Sequence, residues 1–206
     1  MSDFIKINYL NKSMNRDTPQ IFLFLKNDVP SFDALQEGVA WKVIDRVGRG
    51  SSCTVTYPVQ TMVSASWNDG SCRTRMLPST IGSGYIVVED ETGITVINDG
   101  NASNTRSIDV TNSVHVSNGV SVDFYKDGKL MMTRKTVAYG QRATFVLHPK
   151  LYWGVASEIL EGDNLSSAVL DSDCFFELDL EGVSDVTVAL YGNAEEGYQF
   201  KVEDQK

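Results

Sequence analysis

The sequence predicts an all-β fold, an antiparallel β-sandwich of jelly-roll or immunoglobulin-like type with about fourteen short strands. Three observations carry that expectation. Apolar and polar residues alternate with period two along most of the 206 residues. Turn signals recur every roughly 8–12 residues. No segment keeps helical spacing for three turns, and the only helix expected is a short one near 31–38, started by Ser31 and ended by Gly38.

The pattern is clearest from Gly119 to Leu160. Val120, Val122 and Phe124 face one way and Ser121, Asp123 and Tyr125 the other. Asp127-Gly128 tolerates positive φ and turns the chain back through Lys129 to Val137. After Tyr139-Gly140, Ala143, Phe145 and Leu147 alternate with Arg142, Thr144 and Val146 as a third strand.

Earlier in the chain, Ile5, Ile7 and Tyr9 mark a first strand, and Ile21 to Leu25 reads as a strand covered on both faces. Val39 to Ile44 carries Trp41, the Gly48–Ser52 loop follows, and Cys53 to Tyr57 runs on to Pro58. Val59, Thr61, Val63, Ala65 and Trp67 share a face up to the Asn68-Asp69-Gly70 turn, and Arg73 to Leu77 returns as its hairpin partner. Tyr85 to Val88 and Ile94 to Ile97 flank Glu89-Asp90-Glu91-Thr92-Gly93 as another hairpin. Ile108 to Val116, Phe175 to Glu181, Val186 to Tyr191 and Tyr198 to Val202 complete the set. The Asn-Asp-Gly triplets at Asn68 and Asn98 have different flanks and do not mark a repeat. No linker composition interrupts the chain, so a single domain over 1–206 is expected, with 98–107 as the one candidate seam.

Composition narrows the function. Hydrophobic residues at 42% and charged residues at 22% are those of an ordinary globular domain. Eighteen Lys and Arg against 27 Asp and Glu give a net charge of −9, which argues against nucleic acid and against anionic lipid as partners. The N-terminal residues lack signal-peptide character, and no apolar run approaches the roughly 18–20 residues of a membrane-spanning helix. Three cysteines with no C-x-x-C pair suggest reduced thiols and a cytoplasmic location, or export without a cleaved signal.

Few residues point to chemistry. The two histidines, His115 and His148, would be the bases of any hydrolase, but no G-x-S-x-G elbow or cysteine-protease signature accompanies them. Gly48-Arg49-Gly50-Ser51-Ser52 lacks the lysine of a phosphate-binding loop. Glu89, Asp90, Glu91, Asp171 and Asp173 supply loop carboxylates of the kind calcium prefers, although no EF-hand spacing is present; no other cofactor is suggested. Trp67, Asn68 and Asp69 at one turn and Tyr152-Trp153 at a strand start are the residues suited to stacking on a sugar and hydrogen-bonding its hydroxyls. The expectation is a non-catalytic protein that either binds carbohydrate in the manner of a lectin or, with equal weight, assembles with copies of itself as a homo-oligomer. A membrane-active, cytolysin-like protein is the alternative, and a hydrolase using His148 or the acidic clusters comes last.

Overall fold

The computed structural model describes residues 4–14, 19–167, 169–170 and 175–206. The first nine strands are β1 (Phe4–Asn11), β2 (Gln20–Phe24), β3 (Lys42–Ile44), β4 (Ser52–Pro58), β5 (Thr61–Trp67), β6 (Cys72–Arg73), β7 (Leu77–Ser79), β8 (Ser83–Asp90) and β9 (Gly93–Asn101). The next are β10 (Ser107–Asn112), β11 (Val120–Lys126), β12 (Lys129–Val137), β13 (Arg142–Val146) and β14 (Lys150–Glu158). The last are β15 (Val169–Leu170), β16 (Phe176–Asp179), β17 (Asp185–Asn193) and β18 (Gly197–Gln205). The protein is all-β with sandwich-like packing of its sheets, as the alternation predicts, and short pieces such as β6, β7 and β15 take the strands beyond the fourteen expected. The helix is one turn, Ala34–Glu37, and its cap is Asp33 rather than Ser31: Leu35 N–H donates to Asp33 Oδ1 at 2.9 Å.

The chain forms two compact units. The first is Met1–Leu25, Ala40–Val59 and Pro149–Lys206; the second is Lys26–Val39 and Gln60–His148. The 98–107 segment lies inside the second unit.

In the first unit one sheet runs β18-β17-β1-β4, and the other runs β15-β14-β2-β3 with β16 also on β14. Its core holds Ile7, Tyr9, Ile21, Leu23, Trp153, Val186 and Leu190, all at most 2% exposed. In the second unit one sheet runs β13-β10-β8-β9, and the other runs β12-β11-β5-β6 with β7 also on β5. Its core holds Val63, Val87, Ile108, Val110, Phe124 and Phe145, the two phenylalanines stacked at 5.7 Å.

These are the same topology. Each unit has a four-stranded sheet whose central pair is parallel, β1 with β17 and β10 with β8, and every other pairing is antiparallel. Register agrees as well. Asn11 lies opposite Leu190 as Asn112 lies opposite Val87, and Asn8 opposite Thr54 as Asp109 opposite Thr144. Phe22 faces Gly154 as Asp123 faces Ser64, Trp153 pairs with Phe176 as Val63 with Leu77, and Leu190 with Phe200 as Val87 with Val96. In chain order β1–β9 corresponds to β10–β18, so each unit takes strands from both halves, and the two halves meet between β9 and β10.

One buried asparagine per half secures the arrangement. Asn11 Nδ2 donates to Val47 O (2.6 Å), its Oδ1 accepts Ser13 N–H (2.9 Å) and its carbonyl accepts Gly50 N–H (2.7 Å). Asn112 repeats this with Val137 O (2.9 Å), Val114 N–H (2.9 Å) and Gly140 N–H (2.7 Å). Gly50 and Gly140 sit at φ of 78° and 76°, where a side chain is strained. The Gly48–Ser52 stretch is therefore a strand connection built like Ala138–Arg142 in the other unit.

Candidate ligand-binding cleft

A surface cleft of about 390 Å³ opens in the second unit between two sheet edges, β7 on one side and β9 on the other. Its apolar walls are Leu77, Pro78, Val96 and Ile97, and its polar groups are Arg75, Thr80, Ser83, Tyr85 and Asn98. Pro78 cannot donate to a ladder, so β7 is restricted to an edge. There Thr61 Oγ1 donates to Ser79 O (2.8 Å) and Ser79 Oγ to Thr61 Oγ1 (2.9 Å), pinning β7 to β5. On the other side Gly84 lets the end of β9 approach closely, since a Cβ there would stand 2.9 Å from Asn101 O.

Tyr85 and Asn98 each accept one hydrogen bond and keep a side-chain donor. Tyr85 is 4% exposed, and its hydroxyl accepts Thr80 N–H at 3.0 Å, which leaves its own proton to donate. Asn98 Oδ1 accepts Gly100 N–H at 3.1 Å, leaving the side-chain amide as a donor. Arg75 is exposed and is the one charged residue lining the cleft. Met76 and Ile81, 37% and 50% exposed, flank this lining in sequence. The result is an apolar floor with donors around it, the usual makeup of a small-ligand site.

The residues singled out from sequence lie elsewhere. Trp67 is half-buried, and Asn68 and Asp69 are exposed at φ of 53° and 55° in the β5–β6 turn, as the Asn-Asp-Gly triplet predicts. Tyr152 belongs to the first unit, where its ring lies 5.6 Å from Phe24 and its hydroxyl donates to Glu177 Oε2 at 2.9 Å. Trp153 is a correction: it is fully buried, packed 6.4 Å from Tyr9 and 5.7 Å from Phe200, so it presents no face to a sugar.

Glu89, Asp90 and Glu91 are exposed at the β8–β9 hairpin. Asp90 Oδ1 accepts Thr92 N–H (2.7 Å) and Thr92 O–H (2.6 Å), and these bonds hold its carboxyl below the usual range. The carboxylate is thus occupied in forming the turn. Asp171 and Asp173 lie outside the described residues, and among the described residues no three His, Cys, Asp or Glu side chains converge on a metal position. His148 Nε2 is 2.8 Å from Asp28 Oδ2, and His115 stacks on Tyr139 at 3.8 Å; neither histidine lines the cleft.

Arg75, Tyr85 and Asn98 were not legible as a site. They come from the loop before β7, from β8 and from β9, and the local sign was the apolar Met76-Leu77-Pro78 run beside Arg75. No helix among the described residues is long and apolar enough to cross a membrane. No protein-family model, curated protein or solved structure matches the chain.

Proposed function

We propose that the protein is a non-catalytic binding protein whose ligand, a small organic molecule with an apolar face and hydrogen-bond acceptors, sits in the β7–β9 cleft of the second unit. The observation that carries this is a cleft whose lining brings Arg75, Tyr85 and Asn98 together with Leu77, Pro78 and Ile97. The lining holds donors and one cation but no histidine, cysteine or carboxylate, which favours binding over acid–base or nucleophilic chemistry there. Carbohydrate belongs to this ligand class through its C–H face and hydroxyls. Amide chemical shifts followed by NMR during titration with a panel of sugars and small ring compounds test the reading. Saturable shifts clustered on Leu77, Ser83, Val96 and Asn98 are expected; shifts confined to other surfaces at millimolar ligand would overturn it.

A second reading, self-assembly, is favoured by one feature. The outermost strand β9 is nine residues long, exposes Ile97 at 46%, and carries no Lys or Pro of the kind that blunts an edge. β18, the corresponding edge of the first unit, carries Lys201, Glu203 and Asp204. Light scattering behind a sizing column decides between a monomer and a defined oligomer, and substitution of Ile97 by Lys dissociates an oligomer built on β9.

A further inference from the structure

The sheet edges of the second unit are not treated alike. Along β13, Asp28 N–H donates to Val146 O (3.0 Å), and Asn27 accepts Val146 N–H on Oδ1 (2.7 Å) and donates from Nδ2 to Thr144 O (2.8 Å). Beside β12, Gly38 bridges to Met132 and Glu37 pairs with Arg134 at 2.5 Å. The edge on β5 is broken into β6 and β7, two and three residues long, with Pro78 in the latter. β9 has no such cover. Among the described residues its backbone bonds to β8 alone, apart from Gly100 N–H on Asn98 Oδ1.

The outer face at this edge is apolar. Ile97 lies opposite Ile86 and Thr95 opposite Val88, on the side turned away from the buried Val87–Val96 pair. The first unit puts Lys201, Ala189, Gln199 and Tyr191 at these positions and builds a charged network on them. Lys201 Nζ lies 5.1 Å from the Tyr191 ring centroid, Tyr191 O–H donates to Glu203, and Lys12 Nζ is 2.9 Å from Glu203. Charge along the β9 edge is self-complementary. At the hairpin end stand Glu89, Asp90 and Glu91, all exposed. At the far end Asn101 pairs with Ser83, and Gly82 N–H donates to Ser107 O at 2.7 Å, which brings the exposed Arg106 there. Arg75 shares the cleft with Ser83 and Asn98, so two arginines outweigh Asp99, the one charged residue within β9. A second β9 laid antiparallel sets its acidic end beside this basic end and meets the outward N–H and C=O groups in kind. We propose that two copies of the chain pair antiparallel through β9 about a two-fold axis. The two four-stranded sheets then join into one of eight strands, with Ile97 covered at the seam.

This rests on the self-assembly reading and names its interface. The test is light scattering of the intact protein from micromolar to millimolar concentration, joined to amide hydrogen exchange along β9. A closed dimer is expected with every β9 amide protected, because the alternate amides that face away from β8 are then bonded as well. Ile97→Lys, at an exposed position, is expected to weaken the dimer about tenfold or more and to leave the monomer folded. Arg106→Glu is expected to weaken it about threefold, and Glu91→Arg added to Arg106→Glu to restore it. No recovery in the double variant would overturn the antiparallel charge match. An oligomer that keeps alternate β9 amides exchanging and ignores Ile97→Lys would overturn the β9 pairing and leave self-assembly standing. A monomer at every concentration would overturn the pairing and the self-assembly reading together, even if β9 then accepted a strand from another protein.

Discussion

The two units share one strand order and one register yet place their aromatic and polar side chains at different positions. On the outer face of β2 and β14 the first unit sets Phe22 and Phe24, both fully buried, with Phe175 edge-on to each at 6.1 and 4.8 Å. At the equivalent positions the second unit has Asp123 and Tyr125. There Asp123 accepts hydrogen bonds from Thr133 Oγ1 (2.8 Å), Ser66 Oγ (3.3 Å) and Tyr125 O–H (3.3 Å), and Arg73 lies 3.4 Å away. Between the sheets the aromatics trade places, Trp153 and Phe200 against Val63 and Val96, and Phe124 and Phe145 against Leu23 and Val55. The buried Asp123 is satisfied by its hydroxyl partners, whereas Trp153 Nε1 in the first unit is buried without one. In the first unit Trp153, Phe176 and Phe200 pack together where the second unit has Val63, Leu77 and Val96.

The sharpest way to break this comparison is at Gly154, which holds the place of Ser64. A Cβ on Gly154 would stand 2.2 Å from the Phe22 ring, and that ring has no exposed surface into which to move. Gly154→Ala is therefore expected to cost about 1–3 kcal/mol in urea unfolding. Placing glycine at Ser64 creates no overlap and is expected to cost less. Equal costs at the two positions would contradict the packing contrast.

Lys126 sharpens it further, because the equivalent residue of the first unit is Leu25, 2% exposed. Burial pushes the Lys126 ammonium down to about 8. Below that pH the ammonium is charged in both folded and unfolded chains and the burial penalty is fully present. Between about 8 and the unfolded value near 10.4 the unfolded chain holds more protons, so stability rises with pH, by up to about 3 kcal/mol. Tyr9 and Tyr57, kept protonated by burial, oppose the gain above about pH 10. Lys126→Leu is expected to raise stability at pH 7 and to flatten the profile between pH 8 and 10, read by thermal melting across that range.

The smallest expected effect is at Asp109, where the other half carries Asn8. Burial works to raise the Asp109 carboxyl, but hydrogen bonds from Ser103 and Thr144 and the charge of Arg142 outweigh it and hold the group below the usual carboxylate range. Stability from this group is present above about pH 3.9 and is lost as pH falls through its lower folded value. Asp109→Asn is expected to change stability by less than about 1 kcal/mol at pH 7 and to lessen the acid loss, since Arg142 is half-exposed.

What could be read from sequence was the local part of this architecture. The Asp127-Gly128 hairpin forms as expected, with φ of 49° and 69° at the turn, because its determinants are two adjacent residues. The parallel pair β1–β17 joins segments from opposite ends of the chain, and no local pattern encodes that. The repeat was hidden for a different reason. Many equivalent positions share geometry but not chemistry, Phe22 with Asp123, Trp153 with Val63 and Leu25 with Lys126. The anchors Asn11 and Asn112, with their partners Val47 and Val137 and Gly50 and Gly140, keep the same residues and the same bonds. The cleft was illegible because its lining is assembled from β7, β8, β9 and the flanks of β7.

The most direct test of two units woven from two equivalent halves is to cut the chain between them. A protease site placed in the exposed 103–106 segment separates β1–β9 from β10–β18 without removing a strand. The cleaved protein is expected to elute at the size of the intact molecule, with an unchanged NMR spectrum, and to part into two fragments only in denaturant. Two fragments that separate in native buffer, each keeping a folded spectrum of its own, would contradict the account.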